Sequence, residues 1–438
     1  MTSTDRPSGF TADTVVHTDK GLVRFDRLFM RVNTGEDFRV WTHDAADTTT
    51  AGTGSAGTGT TDTTTAGTGM TSSVPDAFMI TGKHPVQRLR FSNGMELRCT
   101  PNRRILTYDR GWREARQLGA DDRVRALDLP TMAIAADWAV PVSADWEAYR
   151  TKGDHGQPLR LPDVWSDQFA HYIGWLVGDG STSGASTVTT YGSADDRSEI
   201  LPAHQRLVEH VNDGRPIKLA EQANGTAHLR LTRRPLKRFL ETLGVVSATG
   251  EHKSVPWAIE QAPPEIVAAF LRGLFDADGG VASHHELGPY VGLSSLSVDL
   301  LRGVQRLLST FGIASTVNAA RRSGKVPVIV PSEPADPPAV APSPAGAPPR
   351  ASFQLRLRGA AMRQFAVDIG FSLSRKAAAL DAWIATDDVA VGDPWADTSI
   401  RLDERLDEGI ELTYEIIEPR NRSYVVNGIA VGNGEPCG

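Results

Sequence analysis

Two stretches decide how this 438-residue chain is read: HYIGWLVGDGS at 171–181 and FLRGLFDADGG at 270–280. Each reads as the end of a buried helix that stops at Asp-Gly. Each also carries a pair of small residues four apart, Gly174 and Gly178 in the first, Gly273 and Ala277 in the second. Small residues at i, i+4 lie on one helix face and make a smooth stripe. Two such stripes can approach closely and bring Asp179 and Asp278 together at one end. Helix C-termini carry partial negative charge, so two carboxylates there repel each other and the carbonyls beneath them. A divalent cation between them removes the conflict. Mg²⁺ is held by one or two carboxylates plus substrate phosphates, and a clamp of that kind hydrolyses phosphodiesters.

Either Asp-Gly alone could be a helix cap and turn. The surroundings argue for a repeat instead, because the two aspartates stand 99 residues apart and the same order of elements follows each. After the first come STVTTYGS and HLRLT as strands, with LVEHVND and PLKRFLETLGV as helices. After the second come VASHHE and YVGLSS as strands, the helix SVDLLRGVQRLLSTFG, the strands STVNAA and ASFQLRLR, and the helix AMRQFAVDIG. A repeat of about 100 residues is a stronger signal than any single motif. A Pro/Ala-rich loop, PSEPADPPAVAPSPAGAPP, interrupts the second copy.

The motif pair resembles the two motifs of the LAGLIDADG homing endonucleases over residues 163–392, with halves at about 163–255 and 256–392. That resemblance implies two αββαββα halves in one monomer, whose sheets form a saddle on double-stranded DNA. It implies that the penultimate acid of each motif, Asp179 and Asp278, holds catalytic metal, Mg²⁺ with Mn²⁺ as an alternative. Asp276 falls on a position that is not a ligand and is expected to pack or cap. The family also uses a lysine from each half. EHKSVPWAIEQAPPE points to Lys253 and LSRKAAAL to Lys376.

Charge supports a DNA partner regionally. The net charge is −7, yet residues 302–376 hold 11 Lys/Arg against 3 Asp/Glu, and residues 381–438 hold 4 against 13. The candidate contacts are Arg230, Arg233, Arg234, Lys237, Arg321, Arg322, Lys325, Arg356 and Arg358. On strands, Arg230, Arg356 and Arg358 alternate with apolar residues and are expected on one sheet face. From there they would reach groove edges or phosphates.

Both flanks of the repeat pair read as β structure. The segments TVVHT, GLVRF and FRVWT are expected as strands, and QRLRF-SNG-MELRCT as a hairpin. A Thr/Gly-rich tract at 46–73, with DTTTAGTG twice, reads as a flexible insertion. Residues 385–408 read as an acidic linker, and ELTYEIIEPRNRSYVVNGIAVGN returns to β character. A β module split around a central domain suggests domain insertion. FTADTVVHTDKG, MELRCTPNRRILT and SYVVNGIAVGN resemble blocks of inteins, over 9–135 and 409–434. The fold this implies is the split all-β Hint module. The whole is then an α+β multidomain protein, with the two-repeat αββαββα endonuclease domain inserted.

By that resemblance the splicing positions are Gly9, Thr100, Arg103, Gly432, Asn433 and Gly434. Glycine is no nucleophile, and a guanidinium cannot exchange protons as imidazole does. Splicing is therefore expected to be lost. Ser8 and Cys437 are off register as substitutes. Two other readings stay open: an active protein-splicing intein, whose host the tail GEPCG suggests is a ribonucleotide reductase, and a non-catalytic DNA-binding protein. No apolar run of membrane length and no signal-peptide pattern is seen, and there are only two cysteines. The expectation is a cytoplasmic monomer without a membrane partner.

Overall fold

A computed structural model describes residues 8–43, 69–126, 130–142, 146, 158–246, 250–284, 286–320, 325–331, 351–386 and 399–434. The chain divides into two compact units. One comprises Met1–Ala136, Leu308–Ala314 and Asp397–Gly438; the other comprises Asp137–Leu307 and Ser315–Ala396.

The first unit is all-β apart from short helical pieces. Phe10–Thr11, Leu402–Ile417, Ala77–Phe91 and Glu96–Cys99 close a barrel, and a ten-stranded sheet carries the rest. The last strand, Ile429–Gly432, lies antiparallel to Arg104–Thr107 with Val431 opposite Ile105. Near the other end of the chain, Phe10 pairs with both Tyr414 and Cys99. In the core Phe10 stacks on Phe25, Tyr424 meets Phe10 edge-on and Tyr414 lies tilted against Phe25. This topology brings both ends of the unit beside the turn that starts at Thr100.

Three expectations here need correction. Phe25–Asn33 is a helix, with Phe25 and Leu28 buried, so the expected strand GLVRF ends one residue early and a helix that was not expected separates it from FRVWT. Met70–Ser73, assigned to the low-complexity insertion, is a strand paired with Val40–His43. Residues 399–408, read as acidic linker, are strand as well. Their acids are matched across the ladder. Glu404 pairs with Arg90 at 3.2 Å and Glu408 with Arg88 at 3.1 Å. Cross-strand opposite charges support a sheet that composition alone would call solvated.

The second unit consists of two copies of αββαββα. In the first, the helix Asp167–Asp179 leads into strands Gly180–Ser183 and Ser186–Tyr191. Helix Leu201–Val211, strands Leu219–Glu221 and Ala227–Thr232, and helix Arg234–Thr242 follow. In the second, helix Pro264–Asp278 leads into Gly279–His284 and Gly288–Ser295. Helix Val298–Thr310, strands Thr316–Ala319 and Phe353–Leu357, and helices Ala360–Asp368 and Ser374–Ile384 complete it. Each copy has one antiparallel four-stranded sheet with the same strand order.

The two motif helices pack on each other through their glycines. A Cβ on Gly174 would lie 2.1 Å from the Phe270 carbonyl oxygen, and one on Gly273 would lie 2.1 Å from that of His171. Gly178 faces Ala277, where an added Cβ would stand 2.8 Å from the alanine's own. The stripes read from the sequence are therefore the contact surface. Backbone meets backbone because any larger side chain would hold the helices apart.

A candidate active site at two helix ends

Each motif helix ends on its aspartate, and the next glycine starts a strand. The close packing carries Asp179 and Asp278 to one place. The Lys325 ammonium joins them: it is ion-paired with Asp179, lies 3.3 Å from Asp278 Oδ1, and donates to the Ala277 carbonyl at 2.8 Å. Lys253 Nζ donates to the Gly178 carbonyl at 2.6 Å. So each helix end offers one carboxylate and one carbonyl oxygen, and each carbonyl is met by an ammonium. Burial, then the charge of Asp278, pushes the Asp179 carboxyl up to about 6. Burial also draws the Lys253 ammonium below its usual range. Beside the site opens a cavity of about 250 Å³, whose lining includes Lys253, Asp278, Lys325, Ser294, Ser295 and Ser352.

The donor set is hard and oxygen-only, which suits Mg²⁺, Ca²⁺ or Mn²⁺ rather than zinc. Among the described residues no group of three or more His, Cys, Asp or Glu converges. A cation here would thus rest on two carboxylates and backbone carbonyls. The lysine already drawn between the carboxylates is an observed cation in that position.

Lys376 also reaches the end of the second motif helix. It is buried, and its ammonium donates to the carbonyls of Phe275, Asp276 and Gly279 at 3.0, 2.6 and 2.7 Å. These oxygens lie at the helix end, where that of Phe275 also accepts from the Gly279 amide. Burial lowers its pKa to about 8. Asp276 is also buried. It accepts from the amides of Ser372 and Leu373 and lies 3.0 Å from His171 Nε2. His171 continues to His204 at 2.9 Å, and His204 to the Tyr191 hydroxyl at 2.9 Å. This buried chain spans both halves, and sequence reasoning missed it. Its one signal was a histidine within an otherwise apolar helix.

The arginines expected on DNA fall into two groups. Arg230 is exposed on its strand and alternates with buried Leu229 and Leu231. Arg356 and Arg358 alternate with buried Leu355 and Leu357 and lie 4.9 and 5.0 Å from the Tyr290 ring. Arg358 is further anchored on the Leu287 and Gly288 carbonyls at 2.7 and 3.0 Å. Arg233, Arg234 and Lys237 sit at the start of the following helix, where Lys237 pairs with Glu241. Arg321 and Arg322 lie outside the described residues.

In the β unit the splicing positions do converge. The Gly9 amide donates to Thr100 Oγ1 at 3.1 Å, and Arg103 donates to the Gly432 carbonyl at 2.6 Å. Arg103 is fully buried, ion-paired with Glu415 and stacked 4.4 Å above Phe10. Glu415 also accepts from Ser8 Oγ at 3.2 Å, the Gly434 amide at 3.2 Å and the Tyr424 hydroxyl at 2.7 Å. A Cβ on Gly434 would stand 2.4 Å from Ser8 Oγ and 2.5 Å from Glu415 Oε2; one on Gly9 would stand 2.8 Å from Thr413 Cβ. Asn433 Nδ2 donates to the Glu418 carbonyl at 2.7 Å. Cys437 lies outside the described residues.

A duplicated αββαββα unit with paired carboxylates at its helix ends, set into a split β unit, defines the architecture. Residues 265–359 match the model of the LAGLIDADG-like domain. That stretch of the chain, which holds the second motif helix from Glu265 onward, is therefore similar to a LAGLIDADG-like domain. Among curated proteins it is similar to protein RecA of Mycobacterium tuberculosis, 25% identical over 256 residues that cover 57% of this chain and 28% of that protein. It is also similar to replicative DNA helicase DnaB of Rhodothermus marinus, 27% identical over 56% of this chain and 24% of that protein. The chain spans about a quarter of the length of these relatives. Similar solved structures include a DnaB intein from Synechocystis, 18% identical, with a TM-score of 0.21 and covering 28% of this chain and 70% of that one. Another is I-DmoI in complex with DNA and Ca, 17% identical, with a TM-score of 0.33 and covering 49% and 97%. No helix among the described residues is long and apolar enough to cross a membrane.

Proposed function

We propose that this protein is a site-specific endonuclease that hydrolyses phosphodiester bonds in double-stranded DNA with Mg²⁺, and that its split β unit does not splice. The observation that supports the nuclease reading is the meeting of Asp179 and Asp278 on a single cation, Lys325, at the ends of two glycine-packed helices. When bound there, Mg²⁺ supplies an activated water and charge stabilisation for the leaving oxygen. The protein's own contribution is positioning. The glycine contact holds the two carboxylates in register, and Lys253 keeps an ammonium beside the cleft where a phosphate would arrive. The exposed arginine of one sheet and the Tyr290-stacked arginines of the other supply cations for phosphates and base edges. The chain works as a monomer in this reading, since it contains both halves.

The loss of splicing rests on side-chain chemistry. The site that should hold a nucleophile, a neutral imidazole and a second nucleophile instead holds two glycines and a buried Arg103–Glu415 pair. The Asn433 side chain is tied to the Glu418 backbone at both ends of its amide, at 2.7 and 3.3 Å. Cys99, buried nearby, is no substitute, because burial pushes its thiol up to about 12.

The test is incubation with DNA that joins the sequences flanking the coding region, in Mg²⁺ and in EDTA. Binding without cleavage in Mg²⁺ or Mn²⁺ would favour a DNA-binding protein. Ligated flanks from a chain embedded in a host would favour splicing.

A further inference from the structure

The second motif ends in Asp-Gly-Gly and the first in Asp-Gly-Ser. The difference has a structural cause. A Cβ on Gly280 would stand 2.3 Å from the Val326 carbonyl oxygen and 2.6 Å from that of Pro327. Residues 325–331 are thus seated on the strand Gly279–His284 with their backbone where a side chain would be. The Ile329 amide donates to the Val281 carbonyl at 2.8 Å, Val326 packs with Ala282 and Tyr290, and Trp383 Nε1 donates to the Ile329 carbonyl at 2.7 Å. Ser181, at the matching position of the first half, is exposed. The asymmetric glycine serves to deliver Lys325.

The delivered ammonium completes a symmetry that the sequence placed elsewhere. Lys253 meets the carbonyl just before Asp179, and Lys325 meets the carbonyl just before Asp278. Lys376 donates instead to the carbonyls of Phe275, Asp276 and Gly279. Lys325 differs from Lys253 in one respect: it is ion-paired with both aspartates.

We propose that Lys325 is a tethered counter-ion. It occupies the divalent-cation position in the free protein, is displaced when metal binds, and then stands beside the cleft as the second-half partner of Lys253. The proposal rests on the metal-dependent nuclease reading. Its consequence is a metal affinity in the free protein that is held down by an internal competitor.

The experiment is isothermal titration of the full-length protein with Ca²⁺, without DNA, for the wild type and the Lys325→Met, Asp278→Asn and Lys20→Met variants. Lys325→Met is expected to bind Ca²⁺ about tenfold more tightly, the scale of one charged hydrogen bond no longer to be broken. Lys20→Met, a change of equal charge at a lysine paired with Glu36 instead, is expected to match the wild type. Equal or weaker binding by Lys325→Met overturns the proposal. If Asp278→Asn still abolishes binding in that case, the metal reading survives. If no variant binds and the wild type does not either, both fall. Circular dichroism of each variant separates a folding defect from a binding effect, and Lys325→Gln is a second, polar replacement expected to tighten binding in the same direction.

Discussion

Replacing Gly174 by alanine puts the helix contact to a direct test. The added Cβ would lie 2.1 Å from the Phe270 carbonyl oxygen and 2.8 Å from the Leu274 amide nitrogen. Ordinary contact begins near 3.4 Å, so the helices must part by about 1.3 Å at this point. Both obstructing atoms are backbone of a buried helix, so no side chain can rotate aside. Overpacking of this kind costs about 1–3 kcal/mol, and at a backbone contact the upper part of that range applies. The intrinsic preference of a helix for alanine over glycine returns about 1 kcal/mol. A net loss of about 2 kcal/mol corresponds to a fall in Tm of roughly 4–8 °C for a unit of this size. The separation also moves Asp179 away from Asp278, and a 1 Å misplacement at a reacting centre costs on the order of a hundredfold in rate. Thermal unfolding and DNA cleavage of Gly174→Ala are the assays. Gly192→Ala is the control, because its Cβ would meet only Asp196 Oδ2, at 3.8 Å. A Gly174→Ala protein as stable and as active as the control would refute the account of the helix pair.

Four further outcomes follow from other parts of the molecule. The Asp179 carboxyl is raised from 3.8 to about 6 in the fold, so between those values the native state holds more protons than the unfolded chain. Without metal, stability should therefore fall as pH rises from about 4 to 6 and then level off. Asp179→Asn should remove that slope and gain up to about 3 kcal/mol at pH 7 in urea titrations with EDTA. Lys376→Met removes the ammonium that three helix-end carbonyls share and should cost about 2–3 kcal/mol in urea unfolding while leaving the Ca²⁺ affinity within about twofold of wild type. In the β unit, Glu415→Gln leaves the buried Arg103 unpaired and should destabilise that unit by about 3–5 kcal/mol. The wild-type chain should stay full length by mass spectrometry after incubation with dithiothreitol or hydroxylamine.

The repeat was legible because it is written in backbone requirements. Glycines at a helix crossing and Asp-Gly at a helix end leave marks that survive without a structure. So did the split β unit, whose outer strands alternate or run apolar. What was hidden depended on partners distant in sequence. The acidic strand from residue 402 looks solvated until Arg88 and Arg90 are set across from it. The helix Phe25–Asn33 follows a strand with no turn residue between them, so its period was obscured. Lys325 follows two arginines in a basic run and reads as one more DNA contact. Only the seat at Gly280, formed by a segment some 45 residues further along, places it between two carboxylates. Lys376 showed the converse, since a lysine in a recognisable segment turned out to be buried on three carbonyls. The Asp276–His171–His204–Tyr191 chain joins residues from four elements and has no local pattern.

The central claim is that Asp179 and Asp278 act as one metal-holding pair, and the double-mutant cycle of cleavage rates measures it most directly. Rates are taken on DNA joining the flanking sequences, for the wild type, Asp179→Asn, Asp278→Asn and the double variant. The account predicts that either single change lowers the rate by on the order of a thousandfold or more and that the double change costs no more than one of them, as for residues that act as a unit. Wild-type cleavage by either single variant, or losses that simply multiply in the double variant, would contradict it.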